Sequence, residues 1–302
     1  MVAAFVLSGG GSLAAVQVGM LQALDERGIR PDLLVGTSAG AINAAYVAGH
    51  GVAQDALADL AAVWVGLRRR VLFPLRPMRG LLAVFGARES LCSAAPLSRL
   101  LDDHLSFSRL EDARIPVHVV ATDALTGCEV LLSDGDATSA LLASAAIPGI
   151  FPSVARDGRM LCDGALANNS AISQAVALGA DRVYVLPSGT ACALDRAPSH
   201  PLAAAMHAVT LLLEQRAILE TRIYAGTVDL HVMAPLCPLS ISAMDFGHAA
   251  TLIGRARRST GRWLDSGSDQ LPYADRFLSL HGHRQVDRST PPTVPSSQAL
   301  TS

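Results

Sequence analysis

A serine between glycines, Gly36-Thr37-Ser38-Ala39-Gly40, stands where the apolar run Leu33–Val35 gives way to the small-residue segment Ala39–Ala48. A strand that turns sharply into a helix needs small residues on both sides of the turn. Gly36 and Gly40 leave that room, and they put the Ser38 hydroxyl at the tip of a nucleophile elbow above a helix N-terminus. A serine hydroxyl is a poor nucleophile at neutral pH. It needs an adjacent base and preorganised donors for the oxyanion that forms when it attacks a carbonyl. Gly9-Gly10-Gly11, directly after the apolar run Ala3–Leu7, offers backbone N–H groups unobstructed by side chains. Asp163, followed by Gly164-Ala165 and then Asn168-Asn169, is an acid leaving a short apolar strand. By itself it reads equally as a turn aspartate. A bare G-x-S-x-G arises readily by chance, so Ser38 gains weight only through its partners.

Other chemistries are disfavoured. Gly9-x-Gly11-x-x-Ala14 after a strand also fits the glycines of a dinucleotide-binding turn, but that fingerprint expects an acid at the end of the second strand. Here that strand ends in Val35-Gly36-Thr37-Ser38, and Asp32 precedes it. All 24 basic residues are arginines, which excludes a Walker A loop, a pyridoxal Schiff base and a catalytic lysine. A net charge of -2 argues against a general nucleic-acid binder. Cys92, Cys128, Cys162, Cys192 and Cys237 are odd in number, scattered and without C-x-x-C. No disulfide framework or structural zinc is expected, and a reducing compartment is favoured. The nine histidines show no metal-ligand spacing, so neither cofactor nor metal is expected.

The elements that must position these residues follow from periodicity. Ala3–Leu7 is a short continuous apolar run, the signature of a strand buried on both faces. Leu13–Arg27 reads as a helix stopped by Gly28. The second strand, the elbow and a helix over Ala39–Ala48 come next, and two β-turn-α units in 50 residues indicate an α/β fold with a largely parallel sheet. Further helices are expected over Val52–Leu67, Ala95–Leu105, Ala137–Ala146, Ala171–Leu178, Leu202–Arg222 and Ala249–Asp265. Strands are expected at Pro116–Thr122, Glu129–Leu132, Arg159–Cys162, Arg182–Pro187 and Val228–Met233. In a parallel sheet the Gly9–Gly11 turn and the Ser38 elbow share the carboxyl ends of neighbouring strands, where α/β sites form.

One stretch departs from this pattern. Residues 68–93 hold Arg68, Arg69, Arg70, Arg76, Arg79 and Arg88 among apolar residues, against the single acid Glu89. Such an insertion either lies on an anionic lipid surface, closes as a lid, or is a partly buried connector. The first 24 residues are uncharged, yet they lack a basic n-region and are broken by Ser8-Gly9-Gly10-Gly11-Ser12. Neither a signal peptide nor a membrane span is expected, and the expected location is cytoplasmic, with peripheral membrane contact through Arg68–Arg88. Residues 1–280 read as one domain. Residues 281–302, rich in Pro, Ser, Thr and Gln, read as a disordered tail.

The glycine turn, Gly36–Gly40, Ala143-Ser144-Ala145-Ala146-Ile147-Pro148-Gly149-Ile150-Phe151-Pro152, and Asp163-Gly164-Ala165 with Asn168-Asn169 occur in that order. In this the chain resembles the patatin-like phospholipase family over about residues 3–190. The resemblance implies a three-layer α/β/α sandwich with a mostly parallel central sheet and acyl-ester, usually lipid, substrates. It also implies a Ser–Asp dyad without histidine, Ser38 as nucleophile and Asp163 as base, with Gly9, Gly10 and Gly11 supplying the oxyanion hole. A hydrolase-fold protein that binds lipid with little or no turnover is the alternative. It is motivated by Leu13 and Ala14, which stand where the family commonly carries a basic residue and then glycine.

Overall fold

The computed structural model describes residues 1–73, 90–190, 192, 201–271 and 274–278. Its centre is an eight-stranded sheet. The strands are β1 (Ala3–Leu7), β2 (Leu33–Thr37), β3 (Val117–Asp123), β4 (Glu129–Leu132), β5 (Val154–Arg156), β6 (Arg159–Asp163), β7 (Arg182–Leu186) and β8 (Asp229–Val232). The order is β5-β6-β3-β2-β1-β7-β8, with β4 also paired to β3. Strands β8, β7, β1, β2 and β3 run parallel, while β4, β5 and β6 are antiparallel to their neighbours. The helices that matter most are α1 (Ala15–Asp25), α2 (Ala39–His50), α3 (Gln54–Gly66), α4 (Arg69–Leu72), α5 (Ala95–His104), α6 (Ala137–Ser144), α7 (Ile172–Ala177), α8 (Pro201–Tyr224) and α9 (Ala249–Asp265).

The three layers can be read from alternate residues of one strand. Phe5 and Leu7 of β1 join the core formed with α1, α2, α3 and α9. Ala4 and Val6 of the same strand join a second core with Ile172 and Ala175 of α7 and Ala217 and Ile218 of α8. A strand presents successive side chains to opposite faces, so helices cover both sides of the sheet. This is the expected α/β/α arrangement. A short 3-10 turn, Gly11–Ala14, precedes α1, so the glycine turn enters the helix by way of a tighter coil than the sequence alone suggests.

Two features differ from the sequence expectation. The hairpin β5–β6 has a strand, Val154–Arg156, where none was expected. Its turn is Asp157-Gly158, both left-handed at φ 49° and 73°, the conformation a two-residue primed turn requires. The second feature is how β6 joins the sheet. Alternate residues of a strand bond to opposite edges. Leu34 N–H donates to Pro116 O on the edge of β3 that faces β2, and farther along the same edge Ala124 N–H donates to Met160 O of β6. Asp123 N–H donates to Cys128 O on the other edge, toward β4. So β2 and β6 occupy successive lengths of one edge of β3, approaching from opposite directions.

Most of the 68–93 segment, residues 74–89, lies outside the described residues, as does the expected tail, residues 281–302. No described helix is long and apolar enough to cross a membrane. Cys192 and Cys237 follow β7 and β8, and burial together with the neighbouring Cys192 thiol pushes the Cys237 thiol up to about 11.

Candidate active site

The head-on meeting of β2 and β6 along β3 is what makes the site. The last residue pair of β2 with β3 is Thr37 with Val120, and the next β3 residue, Ala121, is paired with Asp163 of β6. Ser38 and Asp163 are therefore brought together by the register of two strands on a shared neighbour, although 125 positions separate them in sequence.

The elbow forms as the glycines dictate. Ser38 has φ 54° and ψ −127°, a left-handed conformation that a non-glycine residue adopts only when its surroundings enforce it. A Cβ on Gly36 would overlap the Ala41 backbone, and one on Gly40 would overlap the Leu7 and Ser8 carbonyl oxygens. The first turn of α2 can thus fold back over β2 and lie against the end of β1 only because both side chains are absent.

The Ser38 hydroxyl donates to Asp163 Oδ2 at 2.7 Å. Asp163 Oδ1 accepts from Ala165 N–H at 2.9 Å, and Asp163 N–H donates to Ala146 O at 3.0 Å. Ser38 is 7% exposed and Asp163 4%, so the hydroxyl faces an enclosed cleft and not open solvent. Burial pushes the Asp163 carboxyl up to about 6, and the hydrogen bonds from Ser38 and Ala165 draw it partly back. Among the described residues no histidine hydrogen-bonds to either side chain. Among the described residues, the Asp163 carboxylate is the titratable group hydrogen-bonded to the serine hydroxyl, and its affinity for protons lies close to neutrality.

The glycine turn faces this pair. Gly9 N–H already donates to Asn169 Oδ1 at 2.8 Å, so its amide is engaged. The amides of Gly10 and Gly11 have no partner among the described residues, and Gly11 lines the cleft with Ser38. The turn thus differs along its length, with the Gly9 amide bonded to Asn169 and the Gly10 and Gly11 amides left without a described partner beside the cleft. Leu13 is buried in the core at 2% exposure, and no charge stands there.

The cleft itself is apolar and narrow, with a cavity volume of about 100 Å³. From Ser38 it follows one face of α2 past Ile42 to Tyr46, and it is closed by Trp64 of α3, Leu101 of α5 and Phe246. Positions 38, 42 and 46 are spaced by one helical turn each, so the lined path extends roughly 12 Å along α2. Such a surface accepts hydrocarbon and offers a polar end at Ser38.

Two residues have structural roles beyond their place in the sequence motifs. Ser144, quoted only as part of a motif, accepts Ser38 N–H at 2.8 Å and donates to Val120 O at 2.6 Å. Asn168 O accepts the Thr37 hydroxyl at 3.1 Å, and with Asn169 it ties the loop after Asp163 to both the elbow and the glycine turn. A polar residue inside an alanine-rich helix end was the available signal for Ser144.

The chain matches the family model for patatin-like phospholipase over residues 5–176, and it belongs to that family. It is 27% identical over 192 residues to patatin-like phospholipase domain-containing protein 7 of Mus musculus, an alignment covering 62% of this chain and 14% of that protein. It is also 27% identical over 192 residues to lysophospholipase nte1 of Aspergillus oryzae, covering 61% and 12%. The chain thus corresponds to a small part of the length of the curated relatives it matches. Among solved structures, VipD from Legionella pneumophila aligns with a TM-score of 0.45 at 17% identity, over 87% of this chain and 67% of that one.

Proposed function

We propose that the protein is a serine acyl hydrolase that cleaves carboxylic ester bonds of lipids, in the manner of a phospholipase A or lysophospholipase. The observation that carries this reading is the Ser38–Asp163 hydrogen bond of 2.7 Å at the head of an apolar cleft. Family membership and relatives named as lysophospholipases support the lipid class.

In the proposed reaction Ser38 Oγ attacks the ester carbonyl carbon while its proton passes to Asp163. The carbonyl oxygen becomes an oxyanion held by Gly10 and Gly11 N–H. The tetrahedral adduct collapses, the alcohol or lysolipid leaves with the proton returned by Asp163, and the acyl group remains on Ser38. Water, deprotonated by Asp163, attacks the acyl-enzyme, and the fatty acid and free Ser38 are regenerated. No step requires a metal or an organic cofactor.

Contact with a lipid surface fits the flank of the cleft. Leu72 and Phe73 line it, while Val71 beside them is 57% exposed next to the exposed Arg68, Arg69 and Arg70. Peripheral membrane contact through this flank is part of the proposal.

The test is labelling by a fluorophosphonate ester: the wild type is expected to be labelled and Ser38→Ala not. Equal labelling removes Ser38 from the mechanism. The buried, uncharged Leu13 favours a second reading, lipid binding with little turnover. That reading expects acyl-chain binding without release of p-nitrophenol from p-nitrophenyl esters.

A further inference from the structure

The backbone amide of Ser38 has an unusual partner. In the parallel β2–β3 pair Leu34 N–H donates to Pro116 O, and such a ladder advances two residues at a time on each strand. Continued by its own register, it would set Ser38 N–H against Val120 O. The two groups do not meet. The Ser144 hydroxyl lies between them, accepting from Ser38 N–H at 2.8 Å and donating to Val120 O at 2.6 Å. The last rung between β2 and β3 is thus N–H···O–H···O=C, widened by one inserted oxygen.

The insertion falls at the place where the site needs room. Opposite Ala121, the next position on β3, sits Asp163 instead of a continuation of β2. A direct rung from Ser38 to Val120 would draw the elbow into the space β6 enters. Two residues on from Ser144, the Ala146 carbonyl accepts the Asp163 amide at 3.0 Å. One short stretch at the end of α6 therefore holds the backbone of both reacting partners. Ser144 is fully buried, so water cannot substitute for the hydroxyl without first entering the core. Three neighbours of similar packing, Ala143, Ala145 and Ala146, manage without a hydroxyl.

We infer that Ser144 is a positioning residue. Its hydroxyl, inserted into the final β2–β3 rung, sets the distance of the Ser38 backbone from β3 and so aligns Oγ with both Asp163 and the Gly10–Gly11 amides. The inference rests on the hydrolase reading for its kinetic consequence, while its structural content stands on the hydrogen bonds alone.

The experiment compares Ser144→Ala and Ser144→Thr with the wild type. It uses p-nitrophenyl butyrate hydrolysis and hydrogen exchange of the Ser38 amide. Ser144→Ala is expected to lower kcat about 10²-fold with KM within about twofold, the scale on which small misplacements of reacting groups act. Its Ser38 amide is expected to exchange at least about tenfold faster while β1 amides are unchanged, as expected of a local loss of protection. Ser144→Thr keeps the hydroxyl and is expected to recover kcat to within about tenfold of wild type. A Ser144→Ala enzyme with wild-type kcat and wild-type Ser38 exchange overturns the inference, and so does an equal loss in folded Ser144→Ala and Ser144→Thr. If Ser144→Ala does not fold, Ser144→Cys, a weak donor and acceptor, takes its place with the same expectations. A wild type inert toward every ester defeats the hydrolase reading, and the exchange measurement still decides the role of Ser144.

Discussion

Ser38 Oγ and Asp163 Oδ2 meet at 2.7 Å in a site that leaves neither side chain more than a tenth exposed. That enclosure makes an aspartate a credible base. An exposed carboxylate, with its ordinary pKa near 4, takes a serine proton poorly. One raised to about 6 by burial holds it more firmly and still ionises at neutral pH. In the proposed reaction the base must be ionised, so kcat/KM for a neutral ester is expected to fall about tenfold per pH unit below an apparent pKa near 6 and to level off above it. Asp163→Asn is expected to cost about 10²–10⁴ in kcat. A pH–rate profile that is flat from pH 4.5 to 8 would remove Asp163 as the base.

The same carboxylate carries a stability cost of opposite sense. Its folded-state pKa is about 6 against 3.8 for the ordinary group. Between those values the folded chain binds more protons than the unfolded chain, so stability declines as pH rises through this window and stays low above it. Replacing the acid with a neutral isostere removes the penalty. Asp163→Asn is expected to be more stable than wild type by about 1–3 kcal/mol at pH 7.5, from a shift of roughly two pKa units. The advantage shrinks toward zero below pH 4. Urea unfolding at pH 7.5 and pH 4 checks this, and a mutant less stable at both would contradict it.

The elbow glycines give a contrast between two nominally similar changes. A Cβ at Gly40 would overlap two carbonyl oxygens at the end of β1, whereas at Gly66, the last residue of α3, nothing lies within 4 Å. Gly40→Ala is expected to lose about 2–4 kcal/mol of stability, as overpacking against fixed backbone does. Gly66→Ala is expected to gain up to about 1 kcal/mol through lower chain entropy and better helix propensity. Thermal unfolding of the two single mutants separates them. Equal effects would show that α2 has freedom to move away from β1.

How much of this was legible beforehand depended on whether a feature was local. Ala3–Leu7 and Leu33–Val35 were readable because strands buried on both faces must be continuously apolar. Gly36 and Gly40 were readable because a sharp turn advertises itself in small residues. The β5 strand was signalled only by Asp157-Gly158, since three partly exposed residues make no periodic pattern. The meeting of β2 and β6 on one edge of β3 had no local trace. It is a matter of register between segments more than 100 residues apart, and the Ser144 insertion and the capture of Gly9 N–H by Asn169 are consequences of it. For the same reason Cys192 and Cys237 read as scattered while the sheet brings their thiols together.

The cleft makes a prediction about chain length. Its path from Ser38 follows Ile42 and then Tyr46 on one face of α2, so a bulky side chain at position 42 blocks everything beyond the first turn while leaving the reacting end open. Ile42 is only partly buried and borders the cavity, so extra volume there projects into empty space and not into packed core. Ile42→Trp is therefore expected to keep kcat/KM for p-nitrophenyl acetate within about threefold, since each methylene placed in an apolar pocket contributes only about 1 kcal/mol and acetate needs none of the distal wall. For p-nitrophenyl decanoate, whose chain must pass position 42, the loss is expected to reach at least about 10²-fold, because several methylenes are denied burial at once. The ratio of the two esters is the measurement that matters, as a general loss of folding or of elbow geometry lowers both alike. An unchanged ratio would mean that the acyl chain leaves Ser38 by another route, over the Ile147 and Phe151 wall.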